Sequence, residues 1–199
     1  MKARPILFSG PMVRAILEGR KTQTRRVVKR QGDMEFDPAD PYFGPYWLAY
    51  ATDADGEDAK VRCPYGVPGN RLWVRETYAW SGDSSIPEAD RIASGEVWYR
   101  ADGERGGGIR WRPSIFMPRW ASRILLEITG VRVERLLEIS EADAQAEGID
   151  LKGFRSQTEG IAGREHRIHY RDLWESINGA GSWDANPWVW VVSFRRVER

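Results

Sequence analysis

The run from Pro187 to Val197 constrains this chain more than any other segment. Trp188, Trp190, Val192 and Phe194 alternate with Val189, Val191, Ser193 and Arg195. At a period of two, large apolar groups therefore fall on both faces, and the run reads as a near-continuous buried strand. Such a strand needs a sheet around it, and the rest of the sequence supplies one. Pro5 to Ser9 is a short apolar first strand. Gly10-Pro11 opens a helix with an apolar stripe of Met12, Val13, Ile16 and Leu17, and Gly19 is placed to cap its end. Thr22 to Lys29 reads as a second strand, and Arg71 to Trp80 as another, entered through the turn Val67-Pro68-Gly69-Asn70.

From Ser122 the alternation resumes, with Gly130 marking a bend between Ile128 and Val131. Ser140 then caps a helix with Asp143 three residues on, and Gly148 ends it. In a longer helix, Tyr170, Leu173, Trp174 and Ile177 lie at i, i+3, i+4 and i+7. This order lacks the regular alternation of a doubly wound sheet. It predicts an α+β fold, a small curved sheet or barrel with helices at its ends. At 199 residues the chain reads as a single domain, 1–199, with two insertions. One, about 31–66, is acidic and Pro-rich; the other, about 81–116, is Gly-rich and most simply a hairpin around Val97-Trp98-Tyr99.

Charge is nearly balanced, with 30 Lys+Arg against 29 Asp+Glu. The balance conceals a segregation. Residues 1–30 carry nine bases and one acid, whereas residues 31–60 carry one base and eight acids. The basic element suits an anionic ligand, and the acidic block is a segment able to occupy or gate a basic cleft. A single cysteine, Cys63, excludes an internal disulfide, and no signal peptide or long apolar run is present. A cytoplasmic protein with no membrane association is the expectation. His166 and His169 lack a metal-binding framework, so no metal and no cofactor are expected. Among ten Trp, those near loops, Trp47, Trp80, Trp111 and Trp120, are the candidates for stacking on a base.

Only five of the basic residues are lysines. Lys21 stands among Arg20, Arg25 and Arg26, like charges that lower its proton affinity. From the helix-to-strand turn it can fold over Thr24, which would form a base and nucleophile pair. The same residues also fit a solvated basic strand edge. Glu147, in the last turn of its helix, opposes the macrodipole at a cost of roughly 0.3–1 kcal/mol. It is either a proton carrier or an exposed, screened acid. Glu76 shares a strand face with Leu72, Val74 and Tyr78, so it is either a rim residue or a buried charge in need of a cation.

Taken together, Gly19-x-Lys21-x-x-Thr24-x-Arg26 resembles the signature of the ASCH domain family of the PUA-like superfamily. Pro68 to Glu76, Ile139 to Gly148 and Asp172 to Phe194 resemble further segments of it, and the length is similar to that of phage and prophage members. The resemblance implies a PUA-like β-barrel that binds RNA, a nucleoside or a nucleotide in a cleft. It also implies an amidohydrolase acting on N4-acetylcytidine or a similar base, with Lys21, Thr24 and Glu147 as catalytic residues. Arg26, Arg25, Glu76 and Arg75 are then the candidate substrate contacts. A non-catalytic RNA-binding module and a metal-independent ribonuclease are the alternatives.

Overall fold

The computed structural model describes residues 3–29, 48–52, 58–80, 97–103, 109–151 and 164–198, with backbone alone for 48–52 and 58–61. Five strands form the main sheet: β1 (Ala3–Leu7), β2 (Gln23–Val27), β5 (Arg71–Arg75), β8 (Leu125–Arg135) and β9 (Trp188–Val197). Their order is β1-β5-β8-β9-β2. The β1–β5 pair is parallel and the other pairs are antiparallel. Two hairpins stand apart, β3 (Leu48–Thr52) with β4 (Asp58–Arg62), and β6 (Tyr78–Trp80) with β7 (Val97–Tyr99). The helices are α1 (Gly10–Leu17), α2 (Glu141–Ala146) and α3 (Glu165–Asn178). The fold is α+β.

β9 is covered on both faces, as its sequence requires. Trp190, Val192 and Phe194 enter one core with Val13 and Ile16 of α1 and with Leu72, Leu126 and Ile128. Val189 and Val191 enter a second core with Leu136, Ala144, Tyr170 and Trp174. Fully burying each such aliphatic side chain stabilises the fold by roughly 1.5–3 kcal/mol. The bend at Gly130 is a β-bulge, because Ile128 pairs with Phe194 and Gly130 with Ser193, leaving Thr129 as the extra residue. Ser140 caps α2 by accepting from the Asp143 N–H at 3.0 Å.

The edge strands of the sheet, β1 and β2, are joined by a side chain rather than a ladder. Arg26 of β2 donates from Nη2 to the Leu7 carbonyl of β1 at 2.6 Å. The curled sheet is thus the counterpart of the expected barrel. The expected strand from Arg71 to Trp80 is broken at Glu76-Thr77 into β5 and β6. There the Glu76 N–H meets Met117 Sδ at 3.3 Å and its carboxylate accepts from Arg123 at 2.9 and 3.1 Å, so tertiary contacts override the local pattern. Of the insertion at about 31–66, residues 31–47 and 53–57 lie outside the described residues; of the one at about 81–116, residues 81–96 and 104–108 do.

Candidate functional site

The turn between α1 and β2 fixes Lys21. Gly19, at φ 77°, ends the helix, and the N–H groups of Arg20 and Lys21 both donate to the Ala15 carbonyl, at 2.8 and 3.0 Å. Lys21 then bridges to Glu147, the residue that caps the C-terminus of α2, while the Thr22 N–H donates to Ala146 O at 2.9 Å. Lys21 Nζ donates to Glu147 Oε2 at 2.7 Å and to the Glu147 carbonyl at 2.8 Å. Both side chains are almost wholly buried, at 2% and 3% exposure.

Arg25 completes a buried charge network. Its Nη1 donates to Glu147 Oε1 at 3.2 Å, Nε and Nη2 reach Glu134, and Nη2 lies 3.4 Å from Asp143. Arg132 joins Glu134 and Asp143 from outside, at 2.9 and 3.1 Å, and Gln23 donates to Asp143 Oδ1 at 2.9 Å. Every nitrogen of the Arg25 guanidinium is therefore engaged by a carboxylate. Buried charges of both signs compensate one another here, which offsets their large desolvation cost.

Burial is the main reason the Lys21 ammonium titrates below the ordinary lysine range; Glu147 opposes this, and the Arg26 and Arg25 charges add to the lowering. The sequence identified the arginine charges, but the larger cause is desolvation. The Tyr170 hydroxyl is pushed well above its usual range by burial and then by the Glu147 charge, and stays neutral. Burial alone would raise Asp143, but hydrogen bonds from Gln23 and Ser140 and the charges of Arg25 and Arg132 bring its carboxyl down to about 2.

Asp143 carries a pH-dependent contribution to stability. A depressed folded pKa stabilises fully above the unfolded value near about 3.9 and is lost as pH falls toward about 2. The difference in unfolding free energy between wild type and Asp143→Asn should be constant above about pH 5 and shrink below about pH 4. Urea titrations across that range measure it, and a constant difference down to about pH 2 would contradict this assignment.

Lys21, Thr24, Arg25, Arg26 and Glu147 all line one cavity of about 430 Å3. Phe8, Met12, Tyr170, Leu173, Trp174 and Ile177 supply an apolar, largely aromatic wall. This wall was not read as part of a site from sequence, although the periodic stripe on α3 was its visible sign. Lys21 Nζ and the Arg26 guanidinium lie 5.6 and 5.4 Å from the Phe8 ring centroid. Arg26 Nε is buried and without a hydrogen-bond partner among the described residues.

The other candidates lie elsewhere. Glu76 is 1% exposed and held by Arg123, which also binds Asp102 at 2.7 Å. Arg75 stacks on Trp73 at 4.7 Å. Trp111 packs under Arg100 at 5.4 Å, Trp80 lies in β6, Trp120 borders another cavity, and Trp47 is outside the described residues. His166 Nδ1 contacts Glu141 at 2.8 Å, and no metal-binding cluster occurs among the described residues. No helix among the described residues is long and apolar enough to cross a membrane.

No family model and no curated protein matches the sequence. Two solved structures align with nearly all of the chain. Protein EF3133 from Enterococcus faecalis V583, of family model DUF984, does so at 12% identity and a TM-score of 0.42, over 99% of this chain and 82% of that one. An ASCH domain from Lactobacillus crispatus JV V101 does so at 11% identity and a TM-score of 0.37, over 98% and 79%.

Proposed function

We propose that the chain is an ASCH-type domain whose cavity takes a nucleoside of RNA, and that Lys21, Thr24 and Glu147 remove the acyl group from N4-acetylcytidine or a similar modified base. One observation carries the reading: Lys21 and Glu147, remote in sequence, meet at 2.7 Å in a cavity that Thr24 also lines. An aromatic wall facing a floor of hydrogen-bonding groups suits a flat heterocycle bearing an amide.

In this mechanism Lys21, whose proton affinity burial has lowered, first passes a proton to Glu147 across their 2.7 Å contact; the Thr24 hydroxyl then attacks the amide carbonyl, and the free Lys21 amine accepts the hydroxyl proton as the C–O bond forms. Arg26, which lines the cavity, stabilises the resulting oxyanion through its guanidinium charge. The Lys21 proton passes through its contact with Glu147 to the exocyclic nitrogen, the C–N bond breaks, and cytidine leaves as the neutral amine. Water then attacks the threonyl ester, releasing the carboxylic acid and restoring the Thr24 hydroxyl. Arg25 holds Glu147 in place.

Incubation with N4-acetylcytidine should release cytidine and acetate. Thr24→Ala should slow this at least about 100-fold, with KM changed far less than kcat, because the hydroxyl acts in the bond-making step. Chromatographic quantification of cytidine decides the matter. Absence of product from wild type, or equal turnover by Thr24→Ala, rejects the reading and leaves the binding module; shortened RNA lost in the same variant would assign a nuclease.

A further inference from the structure

A second feature lies on the outer face of the sheet. Arg71, Trp73 and Arg75 occupy alternate positions of β5 and so share one face. The register sets Pro5 and Leu125 beside Trp73, Leu7 beside Arg75, and Glu127 beside Arg71. A groove of about 490 Å3 is lined by Trp73, Leu125, Arg119 and Trp120. The Arg75 guanidinium lies over the Trp73 indole, 4.7 Å from its centroid. Glu127, the acid that the register places on this face, is engaged by Arg195 at 2.8 Å. The Nε atoms of Arg71 and Arg75 are buried and have no hydrogen-bond partner among the described residues, so a ligand would meet the terminal Nη groups.

We propose that this face binds a single-stranded polynucleotide, with phosphates on Arg71, Arg75 and Arg119 and a base stacked on the half-buried Trp120 in the groove, of which the buried Trp73 is the floor. Charge complementarity identifies the occupant. Arg75 lies over one indole, Arg119 lines the groove with both, Arg71 shares the strand face of Trp73, and the carboxylate that the register sets beside Arg71 is already matched. The Cα atoms of Arg71 and Arg75 are about 13 Å apart along the strand, a spacing at which successive phosphates of one chain can engage both. Stacking on an indole requires a base whose face is open, which a duplex does not offer. Leu7 also lines the Lys21 cavity, so the face runs to the cavity mouth. The proposal goes beyond the hydrolase reading and does not depend on it.

The test is fluorescence polarisation of a fluorescein-labelled 12-mer of oligouridylate across a salt series. The triple variant R71Q/R75Q/R119Q should bind at least tenfold more weakly, and its slope of log affinity against log salt should fall by about 2, since each lost phosphate contact removes about 0.7 for a single strand. The R71K/R75K/R119K variant should keep most of the slope, and Trp120→Ala should weaken binding about tenfold without changing it. Arg119→Gln alone, at an exposed position, should lower the slope by about 0.7 and carries the test if the triple variant does not fold. An unchanged slope and affinity in the glutamine variants overturns the proposal. So does equal competition by a 12-base-pair duplex, or by polyglutamate, which would assign the face to acidic peptides. The assay reads binding and not turnover, so its failure is distinguishable from failure of the hydrolase.

Discussion

Glu147→Ala should lower the unfolding free energy by about 3–5 kcal/mol. Its carboxylate is 3% exposed and accepts from Lys21 on one oxygen and Arg25 on the other. Removing it leaves two buried cations facing each other across a site from which water is largely excluded. Arg25 retains Glu134 and Asp143, but among the described residues Lys21 keeps only the backbone carbonyl at position 147 and its distant approach to the Phe8 ring. The control is the double variant Lys21→Met with Glu147→Leu, in which charge and counter-charge vanish together. It should lie within about 2 kcal/mol of wild type, because exchanging a buried pair for apolar groups of similar size is often neutral. Urea unfolding followed by far-ultraviolet circular dichroism measures both. A loss below about 1 kcal/mol for Glu147→Ala would show that the pair is solvated in solution and that Lys21 titrates as an ordinary surface amine.

The second large effect concerns a residue with no side chain. Gly148 sits at φ 85°, and a Cβ there would lie 2.7 Å from Lys21 Cβ and 2.8 Å from Ala15 Cβ. Both neighbours are anchored close to the backbone and have little freedom to retreat. Gly148→Ala therefore combines a left-handed backbone penalty of about 1–2 kcal/mol with overpacking of about 1–3 kcal/mol. In a chain of this size the sum corresponds to a fall in Tm of roughly 5–15 °C. Calorimetry checks it, and a shift under about 2 °C would mean that Lys21 is not held against this turn. Gly148 thus sets the closeness of the approach that lets Lys21 reach Glu147, a role beyond ending a helix.

What the sequence made legible is local. The double-sided burial of β9, the bulge at Gly130, the Ser140 cap and the Gly19 turn each follow from a few adjacent residues whose conformational rules do not depend on distant contacts. The break at Glu76 was not legible, because it depends on Met117 and Arg123, whose approach is a property of the tertiary fold. The same limit hid the clamp on Arg25. Glu134 and Asp143 carry no local mark of a partner more than a hundred positions away, so nothing in the segment of Arg25 shows the clamp on a residue that also lines the cavity. Lys21 and Glu147 were brought together in the sequence only by the resemblance of their segments, since neither residue alone distinguishes a buried reactive group from a solvated charge.

The pairing of β2 with β9 bears on how the molecule is born. Thr24 and Arg26 lie on a strand made early, yet their sheet partners, Val192 and Trp190, come far later in the sequence. Until then β2 has no ladder, and the sequence-distant closure of β9 makes this pairing the slow step expected of high contact order. The sheet that frames the cavity is consequently incomplete until β9 has joined β2. A nascent chain that lacks β9 lacks the sheet frame of the site, so ligand binding reports on the closure of β9 against β2.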